Sequence, residues 1–368
     1  MTARANPPFR ADHVGSLLRP PELREARERA ARGEIDAATL RAVQDRCIRD
    51  VVAQQEAVGL QSITDGEFRR DWWHIDFLRG FDGVAVGPGQ YGVKFQGADE
   101  QPPLLRVTGK IRRSHPNMLD HFTFLKSATK RTPKFTMPSP AMLHARGDRA
   151  ALKATYPDVA EFWSDLAAAY RAEIKALCDA GCRYLQIDDT TVAMMCDPKV
   201  EEQVRQQGDD PAQLRVAYAD AVNAAIKDVP PGVTVAIHTC RGNFKSTWLA
   251  SGGYDPMAES VFGRLGVHAY FLEYDSDRAG GFEPLRFVPK GKQVVLGLVS
   301  TKVPELERKD DLKRRIDAAA KYVPLENLCL SPQCGFSSTH HGNRVTDDDQ
   351  RRKLGLVLEV AQEVWGTA

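Results

Sequence analysis

The sequence predicts an α/β fold, a (β/α)8 TIM barrel with an N-terminal helical extension and an inserted β-hairpin. Eight short runs of β-branched and apolar residues alternate with longer amphipathic stretches, which is typical of parallel strands joined by right-handed helical crossovers. Neither GxGxxG nor GxxxxGK[ST] occurs, which disfavours an open nucleotide-binding sheet. A chain of 368 residues can form one α/β barrel, so we expect a single domain over residues 1–368.

The predicted strands and helices follow one another in a regular order. Apolar residues recur at helical spacing in residues 36–58, 158–180, 211–227, 304–321 and 346–364. The predicted strands are residues 12–16, 61–65, 134–138, 183–188, 233–238, 268–273, 293–298 and 327–331.

Two segments depart from this alternation. Residues 21–57 predict two helices before the second strand, broken at Gly33, because glycine disfavours a helix interior. Residues 82–114 alternate polar and apolar side chains and contain Gly and Pro. This pattern indicates an antiparallel hairpin inserted after the second strand.

Composition excludes several classes of protein. The chain has 50 Lys and Arg against 49 Asp and Glu, whereas nucleic-acid-binding domains are usually strongly basic. No apolar run is long enough to span a membrane, and the N-terminus has no apolar signal segment, so we expect a cytoplasmic protein. The seven cysteines are an odd number, which disfavours a disulfide framework. The sequence leaves the oligomeric state open, a homo-oligomer included.

Polar side chains concentrate where the predicted strands end. In a TIM barrel the active site lies at the carboxyl ends of the strands, so these positions indicate an enzyme. They carry Ser16, Asp65, Glu67, Ser139, Asp188, Asp189, His238, Cys240, Glu273, Asp275, Ser300 and Cys334.

Residues 233–243 (VTVAIHTCRGN) carry the strongest signal for a metal. His238 and Cys240 are two residues apart and share one face of an extended chain, and imidazole and thiolate are favoured zinc ligands. Cys334 and Glu273 stand at two other predicted strand ends. We therefore predict a Zn²⁺ site of all four, with Glu273 as the replaceable ligand because carboxylate oxygen is the weaker donor here. A chance His-x-Cys pair, with a buried structural cysteine, is the alternative.

A sulfur-rich zinc site favours chemistry on a thiol. Zinc stabilises an incoming thiol as a thiolate, which is the nucleophile. We therefore predict methyl or alkyl transfer from a donor to a small thiol. Hydrolysis by a metal-bound hydroxide and a thiol-binding protein without turnover are the alternatives from other classes.

The chain resembles the cobalamin-independent methionine synthase family, in particular its short single-barrel members. The resemblance implies that zinc binds homocysteine, which receives a methyl group from 5-methyltetrahydrofolate. All four predicted ligands match the zinc ligands of the family. The resemblance rests on the segments HVGSLLRP (13–20), DGEFRR (65–70), LQIDD (185–189), HTCRGN (238–243), YFLEYD (270–275) and SPQCGF (331–336).

The resemblance also implies a homocysteine pocket. Ser16 matches the serine beside the substrate carboxylate, and Glu67 and Asp188 match the partners of the ammonium group. This is sensible for a zwitterion, which needs anionic partners for its ammonium and donors for its carboxylate. We expect Glu273 and Asp188 to act in catalysis, with Glu273 loosening from the metal as the thiol sulfur arrives.

Two family features have no counterpart at the expected positions. The histidine that protonates the folate leaving group corresponds to Ser300, and a serine is not an acid at neutral pH. The folate-stacking tryptophan is not found in residues 137–144. His144 is a candidate proton donor by position alone, and the methyl donor is left open.

Epoxyalkane:coenzyme M transferase is a related enzyme that supplies an alternative. There a zinc-bound thiolate opens an epoxide, and the thiol carries a sulfonate and no ammonium group. Glu67 and Asp188 favour an amino-acid thiol. Arginine side chains would suit either anion, and those near predicted strand ends are Arg19, Arg69, Arg70, Arg241 and Arg278.

Two aromatic clusters are open to more than one interpretation. Trp72, Trp73 and His74 could line the substrate cavity, or they could anchor the inserted hairpin. His340 and His341 follow Cys334 closely, but four ligands are already present, so we expect loop hydrogen bonds there.

Overall fold

A computed structural model describes residues 4–88 and 102–368 of the protein. Seven parallel strands form one curled sheet, in the order β1-β4-β5-β6-β7-β8-β9, and β2 pairs with β3 separately. The predicted barrel class is confirmed. In chain order the strands are β1 Ser62–Ile63, β2 Asp82–Gly87, β3 Leu104–Arg112, β4 Thr132–Pro138, β5 Tyr184–Asp189, β6 Thr234–Thr239, β7 Ala269–Glu273, β8 Gln293–Val299 and β9 Leu328–Pro332.

The central strands are buried on both faces, as parallel strands covered by helices must be. Every residue of β5, β7 and β9 is buried. The parallel register between β5 and β6 pairs Asp188 with His238. The fold therefore places these two predicted site residues beside each other at the carboxyl end of the sheet.

The predicted first strand, 12–16, is not a regular strand, which corrects our expectation. Its neighbour Ala11 forms one parallel bridge to Leu330 of β9. The Asp12 carboxylate accepts hydrogen bonds from the backbone N–H groups of Phe9 and His13, and from the Ser62 hydroxyl at 2.7 Å. These side-chain bonds replace a ladder, yet the segment still contacts β9 and β1 and so lies in the eighth position of the ring.

The helices pack around the curled sheet, and the predicted amphipathic stretches correspond to α2, α7, α10, α12 and α13. A short π-turn covers Ala258–Phe262, and single 3-10 turns cover Asp277–Ala279, Glu283–Phe287 and Leu325–Asn327. The helices are α1 Pro21–Ala31, α2 Ala37–Val58, α3 Ile75–Leu78, α4 Leu119–Ala128, α5 Ala141–Arg146, α6 Arg149–Thr155, α7 Val159–Asp179, α8 Thr191–Met194, α9 Pro198–Gln206, α10 Pro211–Ile226, α11 Asp255–Met257, α12 Lys309–Ala319 and α13 Asp347–Trp365.

Capping residues explain where several helices begin and end. Asp36 accepts a hydrogen bond from the Thr39 N–H at the start of α2, and the left-handed Gly59 ends that helix. Thr346 and Asp349 form a capping box at the start of α13. The prediction of two N-terminal helices separated near Gly33 is confirmed.

Helix α12 begins at Lys309, later than the predicted residue 304. The preceding loop is held by Glu307, whose carboxylate accepts from the Ser300 N–H at 2.8 Å and from the Lys353 ammonium at 3.2 Å. These bonds to other elements favour an irregular backbone over a further helical turn.

The inserted hairpin is present as β2 and β3, which pair antiparallel with a bulge between Asp82 and Val84. The part of the predicted hairpin at 89–101 lies outside the described residues. Strand β3 packs on the helical side of the barrel: the Ile111 N–H donates to the Tyr156 hydroxyl at 2.6 Å, and the Asp148 N–H donates to the Leu105 carbonyl. The base of the hairpin is therefore fixed against α6.

None of the helices in the described part of the chain is long and apolar enough to cross a membrane.

Candidate metal and thiol site

Three of the four predicted metal ligands come together at the carboxyl end of the sheet. The ligand atoms of His238, Cys240 and Cys334 all lie within 4.8 Å of one another, and all three residues are buried. The two sulfur atoms are 3.5 Å apart. Two thiols and an imidazole at this spacing form a donor set that suits a tetrahedral zinc ion.

Backbone hydrogen bonds hold the three ligands in place. His238 belongs to β6, and the Cys240 N–H extends that pairing by donating to the Asp189 carbonyl at 2.8 Å. Cys334 lies in the loop after β9, between a bond from Gln333 N–H to the Val299 carbonyl and one from Phe336 N–H to the Ser16 carbonyl. The ligands thus belong to well-fixed backbone, which keeps the cluster preorganised.

The polar atoms of the cluster lack other partners. Neither ring nitrogen of His238 makes a hydrogen bond of good geometry to the described residues, although both are buried. The hydrogen bond from Cys240 lowers the pKa of Cys334 well below its usual value, while the same contact raises the pKa of Cys240 well above it. Two sulfurs and an imidazole, buried and close together, form the arrangement expected where a cation can bind.

Glu273, the fourth predicted ligand, lies next to this group but not within it. Its Oε1 is 3.8 Å from the Cys240 sulfur, and its Oε2 accepts from the Arg241 N–H at 2.7 Å. Arg241 and Arg278 also approach Oε2, at 3.6 and 4.0 Å. The carboxylate is thus shared between the sulfur cluster and two arginines, as a weakly held ligand would be.

A cavity of about 130 Å³ opens beside the sulfur cluster. Its lining includes the predicted metal ligands His238, Cys240 and Cys334, and the three predicted substrate residues, Ser16, Glu67 and Asp188. The structure therefore brings three of the four predicted metal ligands and all three predicted substrate residues to one cavity, which Glu273 does not line.

Glu67 faces this cavity from a strained turn. Its φ of 61° is in the left-handed region, which costs free energy for a residue with a side chain. Arg19 supports the turn by donating to the Glu67 carbonyl at 2.9 Å, and the Thr136 hydroxyl donates to Oε1 at 2.8 Å. The second carboxylate oxygen, Oε2, is buried without a partner among the described residues, so it is available to a bound cation.

Asp188 is buried with a single hydrogen bond to its carboxylate, from the Gln186 amide at 2.6 Å. Burial raises the pKa of Asp188 to about 7, an effect that the neighbouring Glu67 charge reinforces. Burial likewise raises the pKa of Glu67. Two carboxylates close together in a buried cavity would be stabilised by a bound ammonium group.

Ser16 touches the loop that carries Cys334. A Cβ atom added to Gly335 would lie 1.9 Å from the Ser16 hydroxyl oxygen. Only glycine therefore fits beside Ser16, and this close approach keeps the hydroxyl at the cavity.

Comparison with known proteins shows the family of this chain. A family model described as the catalytic domain of the cobalamin-independent synthases matches residues 9–363. The chain belongs to this family. The resemblance inferred from the sequence motifs is confirmed.

Three relatives illustrate the range of the family. YxjH of Bacillus subtilis is 48% identical over 97% of this chain and 95% of its own length. A solved structure from Listeria monocytogenes, provisionally named a vitamin-B12-independent methionine synthase, is 38% identical, with a TM-score of 0.79 over 99% of this chain and 100% of that one. A 5-methyltetrahydropteroyltriglutamate–homocysteine methyltransferase of Rhodococcus jostii is 25% identical over 88% of this chain but only 40% of its own length.

In this synthase fold, two other candidate residues lie away from the cavity. The Ser300 hydroxyl donates to Asp275 at 2.9 Å, and His144 hydrogen-bonds the Tyr218 hydroxyl at 2.9 Å. Neither lines the cavity as the structure describes it. The idea that His144 supplies a proton to the donor is therefore not supported by its position.

Asp189, His340 and His341 make local hydrogen bonds. The Asp189 carboxylate accepts from the N–H groups of Thr191 and Val192 and so stabilises the start of α8, although the residue also lines the cavity. His340 contacts the Asp71 carbonyl and His341 contacts the Thr339 hydroxyl. The expected loop hydrogen bonds of the pair are present.

The aromatic segment after β1 lines the cavity. Trp72, Trp73 and His74 all belong to its wall, and Trp72 lies parallel to Phe244 with ring centroids 6.4 Å apart. Of the two interpretations of this segment, the structure supports lining of the cavity.

Sequence reasoning missed Arg146, which lines the same cavity from the end of α5. No strand-end argument pointed to it, because α5 was not predicted. The signal that could have found it is its place shortly after β4, in the βα loop region where barrel enzymes carry functional residues.

Proposed function

We propose that this protein transfers a methyl group to the sulfur of homocysteine, using zinc held by His238, Cys240 and Cys334 with Glu273 as a weaker fourth ligand. The observation that supports this best is the gathering of the three ligand atoms within 4.8 Å in a cavity that Glu67 and Asp188 also line. The name of the Rhodococcus relative, a homocysteine methyltransferase, points the same way.

The donor set fits zinc, and it determines the chemistry that the metal would supply. Bound to two sulfurs and an imidazole, zinc would stabilise the homocysteine thiol as a thiolate at neutral pH. His238 is free to coordinate because its nitrogens have no competing hydrogen bonds of good geometry in the described chain. Cys334, with its lowered pKa, is ready to bind as a thiolate.

Glu67 and Asp188 bind the substrate ammonium group in this proposal. Oε2 of Glu67 has no hydrogen-bond partner among the described residues. Asp188 pairs in register with His238, so an ammonium between the two carboxylates would lie beside the metal ligands. Ser16 is placed to donate to the substrate carboxylate. These contacts would hold the thiol sulfur beside the metal ligands. The sulfur would then be oriented for attack on the methyl donor.

Glu273 is positioned as the ligand that the substrate sulfur would replace. Its Oε2 is held by the Arg241 N–H, while Oε1 contacts the Cys240 sulfur and, at 3.4 Å, the Gln333 amide. Because Arg241 and Arg278 already stabilise this carboxylate, it would lose little stabilising free energy on leaving the sulfur cluster. This is the role we propose for Glu273 in catalysis.

The proposed methyl donor is of the 5-methyltetrahydrofolate type. The indole rings of Trp72 and Trp73 line the cavity and offer apolar surface to a planar ring system. The name of the Rhodococcus relative contains the same donor class. The cytoplasmic location and the oligomeric state stay predictions.

The test is methyl transfer from 5-methyltetrahydrofolate to homocysteine, compared between the wild type and Cys334→Ser. We expect Cys334→Ser to lose bound zinc and methyl transfer together, because the oxygen is a poor substitute for a thiolate ligand. Cys178→Ser is the control: Cys178 is buried at the end of α7, outside the cavity lining, so this variant should keep both.

Other outcomes separate the alternatives. Retention of zinc and activity in Cys334→Ser would show that the ligand assignment is wrong. Thioether formation from an epoxide and 2-mercaptoethanesulfonate, without methylation of homocysteine, would replace the proposal with the epoxide-opening reaction. Zinc-dependent hydrolysis without any thiol requirement would replace it with hydrolase chemistry.

A further inference from the structure

Arg146 is the cationic residue of the thiol cavity. It ends α5, on the side of the barrel where β4 ends, and it is the only Lys or Arg among the described residues that line the cavity. The mechanism proposed above gives it no task. The residue therefore needs a separate explanation.

The guanidinium of Arg146 has no anionic partner in the described part of the chain. Its Nη2 donates to the sulfur of Met194 at 2.9 Å, a weak acceptor. Arg149, three residues on, pairs instead with Asp209 at 2.9 Å. Arg146 is half-buried, so its guanidinium is partly desolvated without an anion, which favours binding of one.

The position of this charge within the cavity is informative. Arg146 lines the same cavity as the metal ligand Cys240. Burial and the charge of Arg146 together lower the pKa of His74 to about 3. Neither Glu67 nor Asp188 forms an ion pair with Arg146 among the described residues. The cation is thus close to a metal ligand but is not neutralised by the carboxylates assigned to the substrate ammonium.

We propose that Arg146 binds the carboxylate of the thiol substrate and so determines which thiols the enzyme accepts. This rests on the proposed function, in which the thiol sulfur sits beside Cys240 and the ammonium beside Glu67 and Asp188. In an amino-acid thiol such as homocysteine, the carboxylate lies a few bonds from both of these groups. A planar guanidinium matches a carboxylate through two parallel hydrogen bonds, which the Ser16 hydroxyl alone cannot provide.

The test measures thiol binding rather than turnover. Titration calorimetry on the zinc-loaded protein compares homocysteine with 3-aminopropane-1-thiol, which is the same molecule without its carboxylate. We expect wild type to prefer homocysteine, and Arg146→Met to weaken homocysteine binding roughly 10- to 100-fold while leaving the aminothiol nearly unchanged. Arg146→Lys should restore part of the preference because it keeps the charge and loses the fork.

Arg149→Met is the matched control, because Arg149 borders only the neighbouring cavity, whereas Arg146 borders both that cavity and the thiol cavity. It should leave both affinities unchanged, and thermal melts check that each variant is folded. An equal loss for both thiols, or none, in Arg146→Met would overturn the inference. Weakened binding of 5-methyltetrahydrofolate with unchanged homocysteine binding would also overturn it and place the anion on the donor. If the zinc-loaded wild type bound no thiol, the proposed function itself would fail.

Discussion

Glu67 combines backbone strain with a functional carboxylate. Its φ of 61° and its buried, unpartnered Oε2 both cost stability, and burial raises its pKa. Such costs are typical of residues kept for a task other than folding. The ammonium of homocysteine would offset the cost of the buried carboxylate when it binds.

Glu67→Gln should therefore weaken homocysteine binding by roughly 10- to 100-fold. It should also lower the free energy of unfolding, because the buried Arg70 guanidinium, 3.6 Å from Oε1, loses its anion. Calorimetry and urea unfolding measure the two effects separately. Glu202→Gln on the exposed face of α9 should change neither. A Glu67→Gln protein with unchanged affinity and reduced stability would mean that this carboxylate is structural.

Much of the site could be predicted from single residues, and the exceptions have physical reasons. His238 and Cys240 were predicted from their spacing on one strand, and the parallel topology then brings Cys334 to them from a distant part of the chain. Arg146 was not predicted, because it lies on a short helix of six residues with no strong periodicity. The sequence also could not show that Ser300 hydrogen-bonds Asp275, away from the cavity.

At the scale of elements, α13 and the loop after β9 contain glycines in opposite environments. At Gly355, within α13, an added Cβ would meet nothing within 4 Å, whereas at Gly335 it would lie 1.9 Å from the Ser16 hydroxyl oxygen. The two positions make a matched pair for testing which glycines the fold requires.

Gly355→Ala should raise the free energy of unfolding by about 0.5–1 kcal/mol, because alanine is the better helix former. Gly335→Ala should instead lower it and reduce homocysteine affinity, since Ser16 must move away. Urea unfolding and calorimetry on both variants check this. Equal effects of the two substitutions would contradict the close packing of Gly335 against Ser16.

The strands were predicted more reliably than the closure of the ring. The central strands are apolar runs that a parallel sheet buries on both faces, so their pattern was clear. Residues 12–16 (DHVGS) contain a single large apolar residue, Val14, and the Asp12 carboxylate competes for nearby N–H groups, as aspartate often does. The Asp12 carboxylate also accepts hydrogen bonds from the hydroxyls of Ser62 and Tyr184. These residues are distant in the sequence, so the local pattern could not show their effect.

At the scale of the whole molecule, buried neutral histidines should make the protein sensitive to acid. Burial lowers the pKa values of His13, His121 and His144 to about 4, and that of His74 to about 3. In the unfolded chain each would titrate near 6.5. The unfolded state therefore binds more protons between these values, so stability is complete above about pH 6.5 and is lost as the pH falls toward about 4. Asp188 and Glu67, whose pKa values burial raises, oppose this trend.

We expect the free energy of unfolding, measured in urea, to fall between about pH 7 and about pH 5. His144→Gln should reduce the slope in this range by roughly 1.4 kcal/mol per pH unit, the equivalent of about one proton. The variant should not affect thiol binding, because His144 bonds Tyr218 away from the cavity. A pH profile identical to that of wild type would show that His144 is not held neutral by the fold.

The whole account depends on a sulfur-rich zinc centre that binds the substrate thiol directly, and X-ray absorption at the zinc edge tests this most directly. We predict zinc in the purified protein with two sulfur scatterers, from Cys240 and Cys334, and a third when homocysteine is added. A protein without zinc, or a spectrum that homocysteine leaves unchanged, would contradict it.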